Sequence, residues 1–250
     1  MYGTKSNKKL SRKQRRKLRQ ESPLDPSSKS KFNLKHVEPL TDNQARCFDA
    51  FAEGQNLMLH GIAGTGKSFV SLYLALKEIE SNPDSCYKNV TIIRSVVPTR
   101  DMGFLPGNAK EKTKAYEAPY YAICSELYER GDAYELLKSR NMIDFITTSF
   151  IRGITLDNTI IVVDEIANMT LHELDSVMTR VGRNCKIIFC GDFRQSDFTT
   201  EREKSGIMKF MQIINRMNKF EFVDFHEDDI VRSGLVKSYI IQKEKIGIDV

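Results

Sequence analysis

The sequence predicts an α/β fold, a mostly parallel β-sheet with helices on both faces, preceded by a disordered basic N-terminal arm. Three observations predict it. Leu57–His60, Val90–Ile93, Thr159–Val163 and Lys186–Cys190 are short, nearly continuous apolar runs, the mark of strands buried on both faces. Between them lie stretches whose apolar residues recur at helical spacing. Directly after the first run comes Gly61-Ile62-Ala63-Gly64-Thr65-Gly66-Lys67-Ser68, which fits the phosphate-loop pattern G-x-x-x-x-G-K-[ST] at every fixed position.

Taken in order, residues 1–31 separate from the rest. The first twenty hold nine Lys/Arg and no acid; against a whole-chain net charge of +5 they leave −4 on the remainder. Lys5–Arg19 has almost nothing apolar to bury, and Ser22–Lys31 continues as a Pro/Ser linker. Such an arm suits nucleic-acid phosphates through counterion release, a nuclear-import address, or a plain solubility tail. Residues 32–250 form one domain. Thr41 is placed to cap a helix over Asp42–Glu53 that Gly54 ends. Phe69–Ile79 follows the phosphate loop as a largely buried helix, broken at Asn82-Pro83-Asp84.

Val90–Ile93 is the second strand. Thr99–Pro119, with Gly103-Phe104-Leu105-Pro106-Gly107, reads as a long polar connection of functional or mobile character. Helices are expected over Pro119–Arg130 and Ala133–Arg140, and a third strand over Phe145–Ile151, ending at Arg152-Gly153. Thr159–Val163 runs into Asp164-Glu165, and Thr170 caps a helix to Arg180. Lys186–Cys190 leads into Gly191-Asp192-Phe193-Arg194-Gln195; a helix over Ile207–Met217 and a strand over Phe220–Phe225 complete the pattern.

Composition excludes several classes. With 40% hydrophobic and 28% charged residues the chain is ordinary for a soluble globular protein, and no apolar run approaches the length of a membrane span. The basic start has no apolar segment after it, so it is no secretory signal. Five cysteines without a C-x-x-C pair argue for free thiols in a reducing, cytoplasmic setting and against zinc or a disulfide framework. Four scattered histidines make no metal cluster.

The chemistry follows from the loop. Its glycines let the backbone approach phosphates, Lys67 neutralises the β- and γ-phosphates, and Ser68 offers a hydroxyl to Mg²⁺. The metal needs a carboxylate from the end of a strand beside the loop, and Ile160–Val163 delivers Asp164 with Glu165 one residue on. Glu165 then serves as general base for water, which favours hydrolysis over phosphoryl transfer to a metabolite; as a purely structural residue it would be a helix-start acid. Gln195, beyond a buried strand, is placed to hydrogen-bond the γ-phosphate or the attacking water, or belongs to a simple turn.

The chain resembles the PhoH family, phosphate-loop ATPases akin to superfamily 1 helicases, in a form like that of bacteriophages, whose place would be the host cytoplasm. The resemblance runs from about Leu40 to Ile240. It rests on Leu40-Thr41-x-x-Gln44, the phosphate loop, Gly103–Gly107 with Glu111-Lys112, and Ile151-Arg152-Gly153-Ile154-Thr155. Asp164-Glu165 with Asn168, Gly191–Gln195 and Asp229-Ile230-Val231-Arg232-Ser233-Gly234-Leu235-Val236 complete it. It implies a RecA-like domain that binds ATP and Mg²⁺, with Gln44 on the adenine edge and Arg152 or Arg232 as a γ-phosphate arginine, in one reading from a neighbouring subunit. It implies single-stranded nucleic acid as partner, RNA ahead of DNA, a homo-oligomer such as a ring, and a link to phosphate starvation. The chain departs from the family pattern at Ile166-Ala167, where Ala-Gln is expected. The rival readings are a nucleotide-dependent nucleic-acid-binding switch without unwinding, a metabolite kinase and a recruiting scaffold.

Overall fold

The structure, a computed structural model, describes residues 32–82, 84–95, 109–192 and 201–246, with backbone alone at 109–113 and 201–205. The basic arm, the Gly103–Gly107 loop and Gln195 lie outside the described residues. Helix α1 (Asp42–Ala52) is capped by Thr41, whose hydroxyl accepts from the Gln44 N–H at 3.3 Å. Strand β1 (Asn56–Gly61) runs into the phosphate loop and helix α2 (Lys67–Ser81). Seven successive α2 residues, Val70 to Leu76, are buried, as its apolar content requires. Strand β2 (Asn89–Arg94) precedes α3 (Ala109–Tyr128), α4 (Ala133–Ser139) and β3 (Ile143–Thr147). Then come β4 (Thr159–Asp164), α5 (Leu171–Met178), β5 (Lys186–Gly191), α6 (Glu201–Arg216), β6 (Phe220–Phe225) and α7 (Gly234–Ile246).

The six strands form one sheet in the order β3-β2-β4-β5-β1-β6, and every neighbouring pair is parallel. All residues of β4 and β5 are buried, the consequence of cover on both faces. Alternate strand residues Met58, Ile161, Val163, Ile187 and Phe189 pack with Leu174 and Val177 of α5 and Ile207, Phe210 and Ile214 of α6. On the other face α1 lies against β1 and β6, and α2 against β2, β4 and β5. Among the described residues no helix is long and apolar enough to cross a membrane.

Two expectations need correction, and one element had no expectation. Helix α3 starts ten residues before Pro119, so part of the supposed polar connection is helix and the proline lies inside it. A proline costs a helix one backbone hydrogen bond; on either side of this one, Glu117 and Tyr120 are buried, bonded to Lys138 and Asp164. The third strand is Ile143–Thr147 rather than Phe145–Ile151, with a single 3-10 turn over Thr148–Phe150. Its ladder ends at the pair Arg94 and Thr147, after which the Thr148 hydroxyl turns to donate to Glu173 Oε1 at 2.6 Å. Helix α7 was not anticipated from the sequence.

Candidate nucleotide-binding site

The phosphate loop leaves β1 at a point where only glycine fits. Gly61 has φ +118°, and a Cβ there would lie 2.2 Å from the carbonyl oxygen of Phe225 at the end of β6. Ile62 N–H donates to that same oxygen at 3.1 Å, pressing the loop's first turn against the neighbouring strand. Gly66, with φ +85°, is the N-cap of α2, and no acidic residue occupies the helix's first turn. The positive end of the helix dipole and its unpaired backbone N–H groups are thus left uncompensated by side chains, the condition for an anion site. Inside the loop Thr65 Oγ1 donates to Ile62 O at 3.0 Å.

Lys67 Nζ donates to Gly61 O at 2.7 Å and Ile62 O at 2.8 Å, carbonyls of the loop itself. Burial pushes the Lys67 pKa down, and the nearby Asp192, Cys190, Glu165 and Asp164 only partly oppose it. Ser68 Oγ donates to Asp164 Oδ1 at 2.8 Å. Asp164 does not come from a strand beside the loop: β5 stands between β1 and β4. The contact forms because α2 passes over β5, where Ser71 Oγ meets Cys190 Sγ at 2.9 Å, and reaches the end of β4. The other carboxylate oxygen, Asp164 Oδ2, accepts from the Tyr120 hydroxyl at 2.9 Å.

Glu165 follows with φ +56°, left-handed for a residue that is not glycine. Such a conformation costs on the order of 1–3 kcal/mol and concentrates at functional sites. Its carboxylate reaches to 3.9 Å from Arg94 Nη2 at the end of β2. Desolvation, then the Asp164 charge, raise its pKa against the pull of Arg94 and Lys67.

The donor set is a hydroxyl and a carboxylate, hard oxygen ligands. Among the described residues no group of three or more His, Cys, Asp or Glu is arranged to hold a metal. Two protein ligands fit a cation that takes its remaining ligands from water and substrate phosphates, as Mg²⁺ does; Ser68 and Asp164 are the residues that would hold it.

The remaining sequence-predicted residues separate. Gln44 is buried; its Nε2 donates to Thr65 O at 3.0 Å and its Oε1 accepts from Leu40 N–H at 2.8 Å, so it braces the loop. Arg232 lies across the loop, its Cγ 3.0 Å from where a Gly64 Cβ would stand, with Val231 N–H donating to Gly64 O at 3.1 Å. Arg152 is exposed on the turn after β3, bonded to His172 at 2.8 Å. Ala63 is partly exposed on the loop. Ile166 and Ala167, where the family pattern differs, are both buried.

Sequence reasoning missed Tyr120, Arg94 and Asp192 as members of this site. Asp192 carried a signal, an acid just beyond a buried strand; Tyr120 carried none. It also missed the clasp joining α1 to the segment after β6. Asn43 Nδ2 donates to Asp229 Oδ2 at 2.8 Å and to Asp224 O at 3.0 Å, and His226 N–H donates to Asp229 Oδ2 at 2.9 Å. Burial alone would raise the Asp229 pKa; bonds from Thr41, His226 and Asn43 outweigh it and hold it low.

A family model described as PhoH-like protein matches residues 36–243. The chain is 31% identical to a PhoH-like protein of Synechocystis over 185 residues, 74% of this chain and 55% of that one. It is 29% identical to a PhoH-like protein of Bacillus subtilis, covering 74% and 57%, and 28% identical to Protein PhoH of Escherichia coli, covering 77% and 54%. The chain therefore spans little more than half the length of these curated relatives. Among solved structures, Pif1 helicase from Candida albicans aligns at 16% identity and a TM-score of 0.41, over 84% of this chain and 44% of that one.

Proposed function

The chain belongs to the PhoH-like family, and on that premise we propose that it is a Mg²⁺-dependent ATP hydrolase acting on single-stranded nucleic acid, RNA ahead of DNA. One observation supports the hydrolase reading above the others: the Ser68 hydroxyl and the Asp164 carboxylate, 96 residues apart in sequence, meet at 2.8 Å beside a phosphate loop. Bound there, the metal supplies charge stabilisation on the phosphates.

The chain's own residues carry the rest. Loop and helix N–H groups receive the phosphates, and Lys67 exchanges its two loop carbonyls for phosphate oxygens. Glu165, its pKa raised above that of an ordinary carboxylate, takes the proton of the attacking water, with Gln195 as its assistant in positioning that water. Arg232, already against the loop, serves the γ-phosphate within one chain. Arg152, exposed and bonded to His172, is the arginine that a neighbouring copy in a homo-oligomer would receive. The nucleic-acid partner and the oligomer rest on the family resemblance.

The test is phosphate release from ATP and Mg²⁺, with and without single-stranded RNA, for the wild type and Glu165→Gln. RNA-stimulated release that the substitution abolishes is the expected result. Tight ATP binding without turnover under either condition would replace the hydrolase with a nucleotide-dependent binding switch.

A further inference from the structure

We infer that Tyr120 is a positioning residue for the metal-facing carboxylate, fixing which oxygen of Asp164 faces the cation. The inference rests on the reading of Ser68 and Asp164 as metal-holding residues. A carboxylate that serves a metal has a choice of two oxygens and of its own rotation, and what binds the oxygen away from the metal decides both. Here Asp164 is buried, 5% exposed, and its two oxygens are divided between two hydroxyls. Ser68 Oγ takes Oδ1 at 2.8 Å, and Tyr120 takes Oδ2 at 2.9 Å.

Tyr120 is itself 1% exposed, so its hydroxyl has no bulk water to turn to. A carboxylate oxygen can only accept, so in this bond the Tyr120 hydroxyl is the donor. Its ring packs against Phe145 of β3, with centroids 5.8 Å apart, a contact that anchors the ring, while the bond to Oδ2 orients the hydroxyl. The two bonds differ in what they leave. Ser68 gives its proton to Oδ1 and keeps its oxygen lone pairs for a cation, whereas Tyr120 turns Oδ2 inward. Removing the Tyr120 hydroxyl leaves Oδ2 without this donor in a water-poor site, and the carboxylate is free to rotate away from Ser68.

A merely structural tyrosine would affect stability alone. The experiment is direct Mn²⁺ binding, by electron paramagnetic resonance, to the full chain with a non-hydrolysable ATP analogue, for the wild type, Tyr120→Phe, Asp164→Asn and Phe145→Leu. Binding of the analogue without metal is measured alongside. Tyr120→Phe is expected to weaken Mn²⁺ about tenfold, within the range that loss of such outer partners costs, with metal-free analogue binding unchanged. Phe145→Leu, which relaxes the ring contact but keeps the hydroxyl, controls for stability: it is expected to lower the melting temperature and hold Mn²⁺ within about twofold of the wild type. Wild-type Mn²⁺ affinity in a folded Tyr120→Phe, beside a clear loss in Asp164→Asn, overturns the inference and spares the reading of the site. Equal Mn²⁺ affinity in the wild type and Asp164→Asn overturns both. Should Tyr120→Phe fail to fold, loss of Mn²⁺ affinity in Phe145→Leu to the same degree as its loss of stability assigns Tyr120 to packing and overturns the inference.

Discussion

Two lysines stand at opposite edges of the same sheet, and burial lowers the pKa of both. Lys67, past the C-terminal end of β1, donates to two carbonyls of its own loop. Lys186, the first residue of β5, donates to Phe51 O at 2.8 Å and lies 3.9 Å over the Phe51 ring. Their surroundings set them apart. Asp192, Glu165 and Asp164 face Lys67, whereas the acid that acts on Lys186 is Glu78, with the Cys86 thiol. A lysine among carboxylates at a helix N-terminus is equipped to exchange partners when an anion and a cation arrive together. A lysine sealed under an aromatic ring with one carbonyl is a fixed strut between α1 and the sheet. Burial and a shifted pKa therefore do not identify a working residue; the replaceability of its partners does.

The largest effect expected on the working edge comes from Glu165→Gln, which should cut ATP turnover by about 10²–10⁴-fold, the worth of a general base, while nucleotide binding survives. Measuring turnover and binding on the same preparation checks it. Lys67→Met should lose about 10²-fold or more in turnover, the scale of losing a donor to developing charge, while the chain still folds. If Lys67→Met instead unfolds the chain, the contrast between the two lysines collapses.

Lys186→Met reverses that pattern. It keeps the stem's volume but leaves Phe51 O without its donor, a loss of about 1–3 kcal/mol in denaturant unfolding, with turnover per folded molecule intact. The pH dependence sharpens it. A lysine with a lowered pKa binds fewer protons folded than unfolded between that lowered value and 10.5, so its part of the stability rises with pH through that window. The wild type should show this rise relative to Lys186→Met.

The smallest effect asks whether position at the working edge alone makes a group functional. Glu173 lies there, its Oε1 accepting from Ser95 and Thr148 and its Oε2 from the Thr170 N–H and hydroxyl. Burial alone would raise its pKa, but these four bonds outweigh it and hold the carboxyl below its ordinary value. Like Lys186, it has its partners within the protein. Glu173→Gln should cost about 1–2 kcal/mol at neutral pH, the scale of a lost cap, and leave the metal dependence of turnover unchanged. The wild-type advantage lies above pH 4.5 and should fade as pH falls through the lowered pKa.

What the sequence determined by itself was what repeats locally. Strand β6 ran over the residues its alternation predicted, and α1 and β4 came within a residue of theirs, because burial period and caps are written within a few neighbours. The phosphate loop was legible for the same reason: eight consecutive residues hold its glycines, its lysine and its hydroxyl. Asp164 and Glu165 were legible as strand-end acids.

Only the tertiary structure decided which strands lie side by side, and so that β5 separates Asp164 from the loop while α2 bridges the gap. It alone bound Tyr120 to Asp164 across 44 residues and Asn43 to Asp229 across 186. It alone stopped β3 at Thr147, where Glu173 draws Thr148 out of the ladder. Strand order aside, each of these is a single hydrogen bond between groups with no sequence period linking them. A buried polar atom must find a partner, and which partner lies within 3 Å depends on how the whole sheet is ordered.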